Sequence, residues 1–210
     1  MTNRLSHDKY NFFSKHHLAK FSLVFVIATF VIALIALIVP YWHDNFAIED
    51  SGLTYKNYPL AFQISRSSLD WSFIKDVKTE STKQGIVFDE TLRGGIFIVS
   101  PAKHKVSVLV FDGNDPTFLD LSKFSHDKID EWKKFMNVTS QISTVTSDKN
   151  SAFLQIIGNY NSSHIFFKEK IEKHNGKIYR IQVFAKSSQS LDDETLRTLG
   201  NTYESFGYLK

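Results

Sequence analysis

Five histidines follow the long apolar stretch near the N-terminus: His43, His104, His126, His164 and His174. None stands in the H-E-x-x-H or H-x-H spacing that aims two imidazoles at one ion. One group has ligand types at helical spacing: His126-Asp127, with Asp130 about one turn on. On a helix it would seed a divalent-cation site and a metal-dependent hydrolase. A solvated helix face explains it more simply. Asp112-x-x-Asp115 follows an apolar strand, where phosphoryl-transfer acids sit. The run Asp112-Gly113-Asn114-Asp115-Pro116 reads first as a turn in which Asp and Asn bond their own backbone. Arg93-Gly94-Gly95 sets a guanidinium beside open backbone, suited to an anion or to a tight turn. His16-His17 lack a third ligand. No G-x-S-x-G, P-loop or dinucleotide fingerprint occurs. The chain has no cysteine, so disulfides, thiolate metal sites and a Cys nucleophile are excluded. No residue is therefore assigned a catalytic, metal-binding or cofactor-binding role, and the chain is expected not to be an enzyme. A membrane-tethered metal-dependent hydrolase using His126, Asp127 and Asp130, or Asp112 and Asp115, is the alternative.

The elements around these residues follow from apolar periodicity. Residues 53–58 and 60–65 are short alternating runs interrupted by Pro59, expected to pair. Residues 85–92 and 95–100 read as strands around Arg93-Gly94. Residues 105–111 are expected to be a central strand, with Val106, Val108 and Val110 on one face and Leu109 and Phe111 on the other. A helix is expected after Pro116, reaching about Met136, with Phe118, Leu121, Phe124, Ile129, Trp132 and Met136 on its apolar face. Strands are expected over 138–145, 152–158, 163–173 and 177–186. The last two join through His174-Asn175-Gly176. A two-residue loop sets Tyr179, Ile181 and Val183 opposite Glu172, Lys170 and Lys168. A three-residue loop sets Ile171 opposite Tyr179, Phe167 opposite Val183 and Ile165 opposite Ala185. The second register is preferred because it makes one face apolar. Glu169, then opposite Ile181, is read as a carboxylate at a sheet margin. A last helix is expected from about Leu191, capped by Ser190, with Leu196, Leu199, Tyr203 and Phe206 buried. Asn137-Val138-Thr139 and Asn161-Ser162-Ser163 match the glycosylation acceptor pattern, which matters only in a eukaryotic secretory lumen.

Residues 21–39 contain no charge. As a helix they would reach roughly 29 Å, close to the hydrocarbon thickness of a bilayer. Residues 1–20 carry Arg4, Lys9, Lys15 and Lys20 against Asp8, and the remaining basic and acidic side chains balance in number. The net charge of +3 is thus the excess of that flank, which removes the bulk-charge argument for nucleic acid. Cations on the short inner flank, with Asp44, Glu49 and Asp50 on the other, predict the N-terminus in the cytoplasm. The expected organisation is a cytoplasmic tail (1–20), an uncleaved single-pass transmembrane signal-anchor (21–40), a tether (41–52) and an extracytoplasmic domain (53–210), periplasmic or extracellular.

The order of these parts resembles the PsbP-like family of extrinsic photosystem proteins and their non-photosynthetic relatives, with the Mog-type proteins of related fold. The resemblance spans residues 53–207. It is carried by Tyr55-x-x-Tyr58-Pro59-Leu60-Ala61-Phe62-Gln63-Ile64 leading to Trp71, by the strand at 106–111 running into an amphipathic helix, and by Gly176-Lys177-x-Tyr179 with Glu204-Ser205-Phe206 at the end. It implies an α+β fold, an antiparallel sheet of about six strands flanked by helices in an α/β/α sandwich. It also implies a non-catalytic docking or assembly role. The expected function is a membrane-anchored binding or assembly module, an accessory subunit of an envelope complex, with the membrane and other envelope proteins as partners. An inner-membrane subunit of a type IV-like secretion system shares the anchor topology, but its domain opens with helices, whereas strands come first here.

Overall fold

The computed structural model describes residues 26, 29–38, 48–77, 79–80 and 91–210. The expected cytoplasmic tail, with His16 and His17, lies outside these residues, as do both ends of the expected transmembrane stretch, most of the expected tether and residues 85–90 of an expected strand. Residues 29–38 are helical, and Phe30, Ile32, Ile35 and Leu37 are all more than half exposed. Among the described residues no helix is long and apolar enough to cross a membrane. The chain divides into two compact units, Met1–Ala47 and Ile48–Lys210.

The second unit is α+β with two antiparallel sheets. A small sheet has the order β1-β2-β3-β11, formed by Ile48–Asp50, Thr54–Asn57, Phe62–Ser65 and Gly207–Tyr208. The large sheet has the order β4-β5-β6-β10-β9-β8-β7. Its strands are Ser72–Ile74 (β4), Leu92–Val99 (β5), Lys105–Asp112 (β6), Asn137–Val145 (β7), Ser151–Tyr160 (β8), Ser163–His174 (β9) and Lys177–Ser187 (β10). Among the described residues the unit also contains the helices α1 (Leu121–Phe135) and α2 (Asp193–Glu204), and residues 77, 79 and 80 are helical. The expectation of one sheet of about six strands between helices is corrected: the main sheet has seven strands, and a second sheet covers part of one face. β1 also lies within the stretch expected to be tether.

Strand alternation sends side chains to two faces, and both are apolar at the centre. On the front face, Val106, Val108 and Val110 pair with Val183, Ile181 and Tyr179. They pack with Tyr55, Phe62, Ile64 and Trp71, and with Leu199 and Tyr203 of α2. On the back face, Phe97, Leu109, Phe111 and Ile171 pack with Phe118, Leu121 and Phe124. Farther along, Leu154, Ile156, Ile165 and Phe167 pack with Ile129 and Met136. Asp120 caps α1 by accepting from the backbone N–H groups of Ser122 and Lys123, both at 3.0 Å. α2 is capped by Asp192, which accepts from the Thr195 N–H at 2.6 Å, and not by Ser190. Leu191 packs against the front core just ahead of that cap.

The β9–β10 hairpin takes the two-residue register: Tyr179, Ile181 and Val183 stand opposite Glu172, Lys170 and Lys168. Asn175 and Gly176 have φ of 48° and 70°, the left-handed pair such a loop requires. The preferred three-residue register assumed one apolar face. The sheet is buried on both: the apolar row of β10 lies under the small sheet and α2, while Ile165, Phe167 and Ile171 of β9 lie under α1. β5 likewise runs straight through Arg93-Gly94-Gly95, with a bulge between Leu92 and Gly94 where strands around a turn were expected.

Candidate interaction surface

The residues that suggested chemistry are held apart. The ring Nδ1 of His126 lies 2.8 Å from the Ser122 carbonyl of its own helix, and Asp127 and Asp130 are exposed. Asp112 makes a two-pronged ion pair with Arg93, both bonds at 2.5 Å. Asp115 is buried. It accepts from the Thr117 N–H at 2.8 Å and from the Thr91 hydroxyl at 2.5 Å, capping the 3₁₀ turn Pro116–Phe118. Among the described residues no group of three or more His, Asp or Glu side chains is placed to hold a metal ion. Asn137 opens β7, and Asn161 sits at positive φ in the tight β8–β9 turn.

Glu169 is not at a sheet margin. It lies on the interior strand β9, 1% exposed, opposite Gln182. One carboxylate oxygen accepts from Arg180 and from the Gln182 side-chain amide, while its Oε2 is buried without a hydrogen-bond partner. His104, 8% exposed, keeps an unpartnered Nδ1; burial pulls its pKa down, opposed weakly by Asp192. Burial raises the Tyr203 hydroxyl, and it pushes Tyr179 up to about 12, its hydroxyl donating to the Leu60 carbonyl at 2.8 Å.

The β7–β8 end of the large sheet's front face carries exposed apolar side chains. The cover of the small sheet and α2 ends at β9, where Lys168 lies over the Tyr203 ring at 4.1 Å and pairs with Glu204 at 2.8 Å. Beyond it, Ile157 and Ile142 are 37% and 48% exposed, with half-buried Phe153 and Gln155 beside them. Pairing of Ser140 with Ile157 and of Ile142 with Gln155 places these residues on one face. Sequence reasoning had no signal for this patch, because alternation marks the two faces of a strand but not which neighbour is missing.

The sheet edges differ sharply. β4 has three residues, β1 three and β11 two. β1 is also charged, with Glu49 paired to Lys56 and Asp50 to Lys75. β7, the other edge of the large sheet, has nine residues, NVTSQISTV, with no charge and no proline. Its one irregularity is a bulge between Val138 and Ser140. Long edges without charge or proline are what proteins ordinarily avoid.

No protein-family model and no curated protein matches the chain. Among solved structures it is similar to LpqN of Mycobacterium tuberculosis, described as involved in cell envelope biogenesis. The TM-score is 0.40 and the identity 17%, over 82% of this chain and 97% of that one.

Proposed function

We propose that the chain is a membrane-anchored binding module that acts as an accessory or assembly subunit of an envelope complex, holding a partner rather than performing chemistry. The observation that carries this reading is the β7–β8 end of the front face, where Ile142 and Ile157 stand exposed beyond the small sheet and α2. Apolar side chains that stand together in the open on one sheet face suit a contact surface. The anchoring rests on residues 21–39: an uncharged run whose described part is a helix with apolar side chains exposed, an arrangement that suits lipid. Cations on the inner flank favour the N-terminus in the cytoplasm and the folded domain outside. The resemblance of the sequence to the PsbP-like family would suit a docking role. The test is a photoreactive side chain at Ile157 in the full chain, in intact membranes. A specific adduct with an envelope protein, lost in Ile142→Glu, is expected. Labelling no different from that at exposed Lys134 on α1 would sink the reading.

A further inference from the structure

We propose that β7 pairs edge-to-edge with β7 of a second copy of this chain, joining two seven-stranded sheets into one continuous antiparallel sheet about a two-fold axis. The edges of the two sheets contrast in length. Among the described residues three are two or three residues long, while β7 is nine residues long, without charge or proline, and turns the backbone groups of alternate residues away from β8. A second copy suits this edge because the strand is compatible with itself. A two-fold axis perpendicular to the sheet keeps front faces together, so front-facing residues must meet front-facing residues. Ser140, Ile142 and Thr144 are on the front, opposite Ile157, Gln155 and Phe153 of β8.

Centring the axis on Ile142 uses the run from Thr139 to Val145 and leaves the start of the bulge outside. Ile142 then faces Ile142 of the copy, Ser140 faces Thr144, and Gln141 faces Ser143. The exposed isoleucine is covered by its own counterpart, the two pairs flanking it are of hydroxyl or amide side chains, the kind that stabilise cross-strand neighbours, and the outermost pair sets Thr139 against Val145. No like charges meet, because the strand has none. The arrangement also closes: each copy uses the one long edge among its described residues, and the joined sheet ends on β4 at both sides. An isologous contact of this kind stops at the dimer, where an open edge would invite growth. The inference goes beyond the binding-module reading, which concerns a different protein on the front face.

One strand pair is a small interface, so the full chain in membranes, where confinement raises the effective concentration, is the form to test. The chain has no cysteine of its own. Directly opposed strand residues have Cα atoms about 4.5–5.5 Å apart, within the range a disulfide spans. Ile142→Cys under mild oxidation is expected to give a covalent dimer. Ser140→Cys and Thr144→Cys, which keep Ile142, are expected to be silent singly and to link when the two variants are mixed. Adding Ile142→Lys to that mixed pair is expected to lower the linked fraction severalfold. Equal linking at 140, 142 and 144 would show random collision, and no linking at 142 in folded protein would show a free edge; either overturns the proposal. A photoreactive residue at 142 that captures a different protein also overturns it, while leaving the front-face reading standing.

Discussion

Arg180 holds Glu169 as an ion pair although the two are not cross-strand partners: Glu169 stands opposite Gln182, and Arg180 opposite Ile171. The pair lies on the back face beneath α1, with the guanidinium carbon 5.6 Å from the centre of the Phe124 ring. Gln182 donates a second bond to the carboxylate at 2.9 Å and Ser107 donates to Gln182 at 3.3 Å, so a polar thread crosses β6, β10 and β9 inside an apolar layer.

Removing the cation leaves a buried carboxylate with little to satisfy it. Arg180→Met is expected to cost about 3–5 kcal/mol in urea unfolding, the usual penalty for breaking a buried pair. Glu169→Gln should cost less, because it removes the charge that most needs a partner. Glu169→Leu with Arg180→Met should cost less than the sum of the single changes. Strict additivity would mean that the two side chains do not act as a pair.

Two glycines separate steric need from helix propensity. A Cβ on Gly95 would lie 2.0 Å from the Val108 carbonyl oxygen on β6, an unyielding backbone atom. Gly95→Ala is expected to be among the severe changes, above about 4 kcal/mol, or to prevent folding. Gly200 sits in α2 with nothing within 4 Å of the added methyl group. Gly200→Ala is expected to stabilise by about 0.5–1 kcal/mol, because alanine favours the helix. Melting temperatures of the two variants should move in opposite directions.

His104 gives a pH signature. Its folded pKa lies below the ordinary 6.5 because burial disfavours the imidazolium. Above that value both folded and unfolded states hold a neutral ring, and the residue adds no pH dependence. Below it, the unfolded chain takes up a proton that the folded chain resists, so stability falls as pH drops from about 7 to 5. His104→Gln is expected to flatten the melting-temperature profile across that window. An unchanged slope in the variant would place the titration elsewhere.

Much of the large sheet was legible because its strands are long and their apolar residues alternate: 105–111, 152–158 and 177–186 were read nearly to their ends. The small sheet was only half visible, since strands of two to four residues, such as Gly207–Tyr208, carry too little pattern. The β9–β10 register was misread for a physical reason. A charged row opposite an apolar row does not suit a sheet with one core. It is right where β9 marks the end of the front cover and Lys168 reaches out to Glu204. The candidate surface was not legible at all. That β7 is an edge and β10 the centre depends on strand order, which residue types along one strand do not encode.

Asp112 and Asp115 test the chemical alternative directly. Asp115 is buried and bonds both Thr117 and Thr91, so Asp115→Ala removes two acceptor bonds and a cap. A loss of about 1–2 kcal/mol is expected. Asp112 and Arg93 are a half-exposed pair, 38% and 56%. Asp112→Asn should cost under about 1 kcal/mol, with a deficit that shrinks in high salt. A hydrolase using both carboxylates would behave otherwise. Asp112→Asn would abolish turnover of a phosphoester or other hydrolysable substrate while leaving the fold intact, and Asp115→Asn would do the same. Unfolding curves that separate the two positions, with no hydrolysis to lose, match aspartates placed to hold a turn and a strand end.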